Sequence, residues 1–82
     1  MNGYYVCILE CSDKTFYTGW TSNLGKRIQE HNDGKDGAKY TRARRPVRLV
    51  YNETCPSLSE ALKREARMRK LSHWGKLELI KG

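Results

Sequence analysis

The sequence predicts a small α+β domain in which a three-stranded, largely antiparallel sheet is covered by helices. Two segments rich in β-branched and aromatic residues, 4–11 and 15–20, are separated by a break of three polar residues. A third segment of this kind, 47–55, ends at Pro56. One helical stretch lies before that third strand and two follow it. The predicted element order is therefore β-β-α-β-α-α.

The sequences of the three segments support their prediction as strands. Residues 4–11 read YYVCILEC and residues 15–20 read TFYTGW. The polar break between them is so short that the two strands should pair as an antiparallel hairpin. Residues 47–55, VRLVYNETC, alternate well enough in polarity to form the third strand.

The first helix is predicted over residues 23–31. Three good N-cap residues, 21–23, precede it. Leu24, Ile28 and His31 then recur at i, i+4 and i+7, as one helix face requires. The Asn-Asp-Gly run at 32–34 should end the helix, and residues 34–46 are predicted to form a polar loop.

Two further helices are predicted after the third strand. Ser57 and Glu60 fit a capping box, so a helix should begin there and run to about residue 71. A shorter helix is predicted over residues 73–80. Its Trp74, Leu77 and Ile80 recur at i, i+3 and i+6 and are expected to pack back on the sheet.

The chain has 82 residues, which allows a single domain spanning 1–82 with its core at about 3–80. No window approaches the roughly 18 apolar residues of a membrane span, so no membrane partner is expected. No signal peptide is recognisable. The three cysteines are an odd number, and the Cys7–Cys11 spacing lacks the second ligand pair of a zinc site. Reduced thiols in a cytoplasmic protein are the expectation.

The charge balance favours a polyanionic partner. Sixteen Lys and Arg against nine Asp and Glu give a net charge of +7. Ten of the cations fall in two blocks, 39–48 and 63–70. A charge run is often only a solvated surface, but arginine suits phosphate contacts and an aromatic ring can stack on a base. The expected nucleic-acid contacts in the first block are Lys39, Tyr40, Arg42, Arg44, Arg45 and Arg48.

Three residues depart from a simple amphipathic pattern. Glu65 falls near the centre of the apolar stripe of the helix that begins at residue 58. It could pair with a cation, reach water at the edge of the core, or hold a metal ion. Arg27 and His31 share a face of the first helix beside its apolar stripe. They are either solvated or a pair that handles phosphate.

Together these residues resemble the signature of the GIY-YIG nucleases. Tyr17-Thr18-Gly19, preceded by Gly3-Tyr4-Tyr5, is followed by Arg27, His31 and Glu65 in the family's order. The stretch GAKYTR at 37–42, with Arg45-Pro46 after it, is typical of small stand-alone bacterial members. The resemblance covers about residues 3–80.

The resemblance implies a metal-dependent endonuclease that hydrolyses DNA phosphodiester bonds, in DNA repair or processing, with one divalent ion, Mg²⁺ or Mn²⁺. Glu65 would hold the metal, and Arg27 would stabilise charge on the scissile phosphate. Tyr17 and a tyrosine of the first motif would position the attacking water, with His31 assisting. Literal matching assigns that first tyrosine to Tyr5, whereas strand register assigns its position to Cys7.

If Cys7 occupies the position of the first-motif tyrosine, catalysis should be weak or absent. The alternative is therefore a nucleic-acid-binding module with the same fold. DNA is the expected partner, and RNA stays open. The sequence contains no added targeting domain, so a protein partner that supplies targeting is a further expectation. The sequence carries no prediction of oligomeric state.

Overall fold

A computed structural model describes residues 3–33 and 39–82, with the Lys39 side chain outside that description. The strands are β1 (Tyr4–Glu10), β2 (Phe16–Thr21) and β3 (Arg48–Cys55). The helices are α1 (Leu24–Asp33), α2 (Lys39–Arg42), α3 (Leu58–Arg69) and α4 (His73–Lys81). The α+β class and the order of the predicted elements are confirmed. The one-turn helix α2, within the predicted loop, is an addition.

The sheet is antiparallel throughout and has the strand order β2-β1-β3. The central strand β1 places Cys7 opposite Gly19 of β2 and Asn52 of β3. A register irregularity between Ile8 and Leu9 interrupts the β1–β3 pairing. The predicted hairpin and the three-stranded sheet are both confirmed.

Alternation along β1 divides the core between the two faces of the sheet. On one face, Val6 and Ile8 pack with Ala61 and Met68 of α3, and residues of α4 cover the edge of that cluster. On the other face, Cys7, Leu9, Cys11 and Val47 form a second cluster, against which Leu24 and Ile28 of α1 pack. Helix α1 and helix α3 therefore lie on opposite faces of the sheet.

The expectation that Trp74 packs on the sheet is wrong. Ile80 does pack against the core, but the Trp74 side chain is 75 % exposed. The preceding residue, His73, instead stacks on Phe16 with ring centroids 4.7 Å apart. Adjacent helical residues point about 100° apart, so the contact made by His73 turns Trp74 toward solvent.

The three cysteines, Cys7, Cys11 and Cys55, are free and buried. Over residues 3–33 and 39–82, no helix combines the length and apolarity needed to cross a bilayer.

Candidate active site

Tyr17 and His31 meet although they come from different elements. Tyr17 lies on the edge strand β2 and His31 in the last turn of α1, and their ring centroids are 5.2 Å apart. Tyr40 of α2 stacks on the same tyrosine, with a centroid distance of 6.1 Å. The Arg44 guanidinium lies 4.0 Å from the Tyr40 ring centre. Four side chains predicted for catalysis or nucleic-acid binding thus form one contiguous cluster.

His31 is a buried, neutral base at pH 7. Its side chain is almost fully enclosed, with 1 % exposure, and a 2.6 Å hydrogen bond joins Nδ1 to Thr41 Oγ1. Burial, and to a lesser extent the positive charge of Arg27, lowers the pKa of His31 to about 4. Glu30 opposes this shift and Arg45 adds to it. The imidazole is therefore uncharged at pH 7, and its low pKa makes it a weak proton acceptor.

Gly19 gives the Tyr17 ring the room to lie along the strand. A Cβ atom built on Gly19 would come within 3.2 Å of Tyr17 Cε2. Contacts this close force the neighbouring side chain to move. The glycine of the Tyr-Thr-Gly motif therefore fixes where the Tyr17 ring can lie.

Arg27 lies one turn before His31 on α1 and is half-buried. Its Nη1 atom is 3.3 Å from Glu30 Oε1. It faces an open groove of about 400 Å³ between the end of β2 and the start of α1. The other residues lining this groove are Trp20, Thr21, Ser22, Asn23, Lys26 and Glu30.

Glu65 is a buried carboxylate on α3, with 9 % of the residue exposed. Its side chain pairs with Arg69, one turn further along the helix. The sequence left three possibilities for Glu65, and this contact corresponds to the first of them, pairing with a cation. The Arg69 side chain is 63 % exposed, whereas that of Glu65 is 11 % exposed.

The charges of both Arg27 and Glu65 influence the Cys7 thiol. Burial raises the pKa of the Cys7 thiol to about 11, and Glu65 adds to that rise. Arg27 and a hydrogen bond with the Gly19 backbone act in the opposite direction. The thiol is therefore protonated at pH 7, and the charges of both Arg27 and Glu65 act on it.

Tyr5 occupies a different position on the same strand face. It is paired with Thr21 of β2, whereas Cys7 is paired with Gly19. Two residues along a strand correspond to about 7 Å. The assignment of Tyr5 as the tyrosine of the first motif stays a prediction, because the converging charges of Arg27 and Glu65 act on Cys7.

Some residues of the predicted nucleic-acid-binding block are exposed, and others make contacts within the protein. Tyr40 is 38 % exposed and Arg42 is also exposed. Arg44 donates to Asp13 Oδ2 at 3.0 Å and to the Tyr40 carbonyl at 2.9 Å. Gly37 and Ala38 of the loop motif lie outside the described residues, as does the Lys39 side chain.

Arg45 and Arg48 complete this block. Arg45 Nε donates to the His31 carbonyl oxygen at 2.5 Å, so it holds the C-terminal end of α1. Arg48 pairs with Glu10 at 2.8 Å while its side chain stays 74 % exposed. Within the described ranges the ion pairs all use arginine: Arg27–Glu30, Arg44–Asp13, Arg48–Glu10, Arg64–Glu53 and Arg69–Glu65.

Thr41 is a residue of the candidate site that the sequence did not single out. It is fully buried, and its hydroxyl is bonded to the imidazole of His31. The only available signal was its place within the GAKYTR stretch. The role of that hydroxyl depends on a contact between residues ten positions apart.

The pattern of the GIY-YIG catalytic domain matches residues 3–76. The chain belongs to the GIY-YIG family. Among curated relatives, a UPF0213 protein of Syntrophus aciditrophicus is 64 % identical, over 99 % of this chain and 93 % of its own length. A UPF0213 protein of Clostridium perfringens is 55 % identical, over 93 % of this chain and 81 % of its own.

Solved structures agree with these relationships. The solution structure of a UPF0213 protein of Bacillus halodurans is 46 % identical, with a TM-score of 0.61, over 96 % of this chain and 83 % of that one. A protein of E. faecalis is 36 % identical, with a TM-score of 0.67, over 99 % of this chain and 85 % of that one. The chain is therefore a small GIY-YIG protein similar to UPF0213 proteins, and its family points to the nuclease class of hydrolases.

Proposed function

We propose that this GIY-YIG protein is a divalent-metal-dependent endonuclease that cuts DNA phosphodiester bonds. The observation that carries the proposal is the convergence at Cys7, where the charges of Arg27 and Glu65 act on one point of β1. The pair formed by Tyr17 and His31 is built around the residue opposite that point, Gly19. In this proposal the Glu65 carboxylate binds the cation, the Arg27 guanidinium binds the phosphate, and His31 orients Tyr17.

The donor set of this site fits a magnesium ion. Among residues 3–33 and 39–82, no three His, Cys, Asp or Glu side chains form a metal cage. Magnesium, however, usually binds through one or two carboxylates, with water and substrate phosphates completing its shell. Glu65 is a hard oxygen ligand of that kind, and Mn²⁺ is the natural substitute. The bound ion would supply Lewis-acid stabilisation of the phosphoryl oxygen.

The protein's own side chains have separate roles in this proposal. Arg27 binds the scissile phosphate and stabilises the negative charge that develops on it. Tyr17 positions the attacking water through its hydroxyl. Neutral His31 orients the tyrosine ring through their contact, and its lowered pKa keeps the imidazole uncharged at pH 7.

The proposal also covers the substrate, the biological process and the cellular location. The net charge of +7 favours DNA as the substrate. Action in DNA repair or processing, targeting by a protein partner and a cytoplasmic location are the proposed context. The three free, buried cysteines support a reducing compartment.

Plasmid nicking in Mg²⁺ or Mn²⁺ tests the activity. Glu65→Gln and Arg27→Ala should each reduce the nicking rate by about a hundredfold, as expected when charge stabilisation of a transition state is lost. Glu78→Gln, on the exposed side of α4, is the matched carboxylate control and should nick like wild type. Equal rates in all four proteins would mean that the cleavage comes from a contaminant or from another site.

The second candidate function is a nucleic-acid-binding module with little catalysis. Cys7 favours it, because a buried thiol with its pKa raised to about 11 offers neither a hydroxyl nor a ready base. This candidate predicts salt-sensitive DNA binding that is unchanged in Glu65→Gln, without nicking. Nicking gained in Cys7→Tyr, with an unchanged circular-dichroism spectrum, would show that the cysteine silences the site.

A further inference from the structure

The groove beside Arg27 has features that the proposed cleavage chemistry does not use. Its volume of about 400 Å³ falls within the range of pockets that bind small ligands. Trp20 at the end of β2 and Lys26 on α1 both line it, together with Arg27. Trp20 and a second cation therefore lie beside Arg27, the residue proposed to bind the scissile phosphate.

Trp20 is an unusual residue for the wall of a polar groove. It is 37 % exposed on the edge strand of the sheet. Its ring meets Tyr4 at a centroid distance of 6.2 Å and an interplanar angle of 59°. This tilted contact braces the indole without covering its full surface. Exposed aromatic rings beside cations are the usual platform for bases of single-stranded nucleic acid.

The polar groups of the groove are arranged for a phosphate rather than for reading a base. Lys26 and Arg27 supply two positive charges, and Glu30 is already paired with Arg27. The Thr21 hydroxyl accepts from the Asn23 backbone at 3.0 Å, and Asn23 Oδ1 accepts from the Lys26 backbone at 3.1 Å. These side chains hold the turn between β2 and α1. The groove should therefore bind nucleotides with little sequence preference.

We infer that this groove binds an unpaired nucleotide next to the phosphate held by Arg27, with its base stacked on Trp20 and its own phosphate near Lys26. The inference rests on the proposed function and deepens it, because it assigns the substrate to DNA that carries an unpaired strand. A base inside a duplex is stacked on both sides and cannot offer a face to the indole.

The chain contains two tryptophans, which makes the test direct. Trp74 belongs to α4, whose first residue contacts Phe16, about 13 Å along β2 from Trp20. In Trp74→Phe the remaining fluorophore is Trp20, and in Trp20→Phe it is Trp74. A short oligothymidylate, added in EDTA, should quench the fluorescence of Trp74→Phe and leave that of Trp20→Phe unchanged.

Binding measurements give the second arm of the test. By anisotropy of a labelled oligothymidylate, Trp20→Ala should bind about tenfold more weakly than wild type, as expected for loss of one base–aromatic stack. Trp74→Ala should bind like wild type. Equal quenching of both single-tryptophan proteins, or equally strong quenching of Trp74→Phe by a blunt duplex of the same length, overturns the inference.

The two proposals can fail separately. Nicking by wild type together with unquenched Trp74→Phe would refute the groove assignment and leave the nuclease proposal standing. Quenching of Trp74→Phe without nicking by wild type would refute the nuclease proposal and leave the groove as a binding site. Glu65→Gln should keep the quenching, because its carboxylate does not line the groove.

Discussion

At the scale of single residues, His31 makes the fold sensitive to acid. The pKa of this histidine is lowered from 6.5 to about 4 in the folded protein. Between those values the unfolded chain binds more protons than the folded one, so folding becomes less favourable as pH falls. The stability that depends on neutral His31 is present above pH 6.5 and is lost on acidification toward pH 4.

The free energy of unfolding by urea should therefore decrease by about 3 kcal/mol between pH 7 and pH 4 on account of this residue alone. In His31→Gln most of that decrease should disappear, although the variant is less stable at pH 7. His73→Gln, which changes the other histidine of the chain, should keep it. An unchanged pH dependence in His31→Gln would show that the imidazole is not held neutral.

Thr41 provides a second test at this scale. Its buried hydroxyl is bonded to His31, so Thr41→Val leaves a buried nitrogen without its partner. Such a loss costs about 1–3 kcal/mol, which urea unfolding can measure. Thr41→Ser keeps the hydroxyl and should nick like wild type, whereas Thr41→Val should nick more slowly. Equal nicking by the two variants would show that the hydroxyl does not position the base.

Gly19 and Gly25 form a matched pair. A Cβ on Gly19 meets the Tyr17 ring at 3.2 Å, whereas one on Gly25 meets only Asn23 Oδ1 at 3.9 Å. Gly19→Ala should displace the Tyr17 ring and reduce nicking. Gly25→Ala should leave nicking unchanged and stabilise α1 by about 0.5–1 kcal/mol, since alanine favours helix. Thermal unfolding and the plasmid assay distinguish the two effects.

At the scale of elements, the attachment of α1 to the start of β3 decides where His31 lies. Asn32 Nδ2 donates to the Val47 carbonyl at 3.0 Å, and the Val47 backbone donates to Asn32 Oδ1 at 2.7 Å. Arg45 adds its bond to the His31 carbonyl. The last turn of α1 is thus held by four hydrogen bonds to the segment that enters β3, one of them from Arg45 Nη2 to the Glu30 carbonyl at 3.4 Å.

Asn32→Ala should break two of these bonds and lower the free energy of unfolding by about 1–3 kcal/mol. Nicking should fall as well, because the residue next to His31 is no longer held. Asn52→Ala, at an exposed position of β3, is the control and should change neither quantity. If Asn32→Ala were as stable as wild type, these bonds would make no net contribution to the free energy of unfolding.

The sequence predicted elements better than it predicted their contacts. The strands, the capping-box helix and the pairing of β1 with β2 follow from local patterns and are confirmed. The helix predicted to end at residue 31 continues to Asp33, and the Asn32 side-chain amide bonds the Val47 backbone, just before β3, rather than a turn. Such tertiary bonds are invisible to a local pattern.

The same distinction holds for the candidate site. The order of Tyr17, Arg27, His31 and Glu65 along the chain resembles the GIY-YIG signature, and that resemblance predicts these four as one set. The stacking of Tyr40 on Tyr17 depends on α2, which has no amphipathic pattern long enough to be recognised. The convergence of Arg27 and Glu65 on Cys7 joins helices from opposite faces of the sheet, which spacing along the chain cannot show.

At the scale of the whole molecule, the excess positive charge should set the salt dependence of DNA binding. The affinity of a protein that neutralises phosphates falls as salt rises, with a slope that grows with the number of contacts. Arg48→Gln should bind all DNA sequences more weakly and reduce that slope by about one. Lys81→Gln, in the last turn of α4, should leave it unchanged. Titrations at several salt concentrations measure both.

The arginine-only character of the ion pairs has a practical consequence for chemical footprinting. In the part of the chain that the structure describes, no lysine takes part in an ion pair. An amine-acylating reagent should therefore label lysines without opening the paired contacts of the fold. Mass spectrometry of the labelled protein, with and without oligonucleotide, would then map where the strand runs. Lys26 should be the lysine that an oligonucleotide shields most strongly.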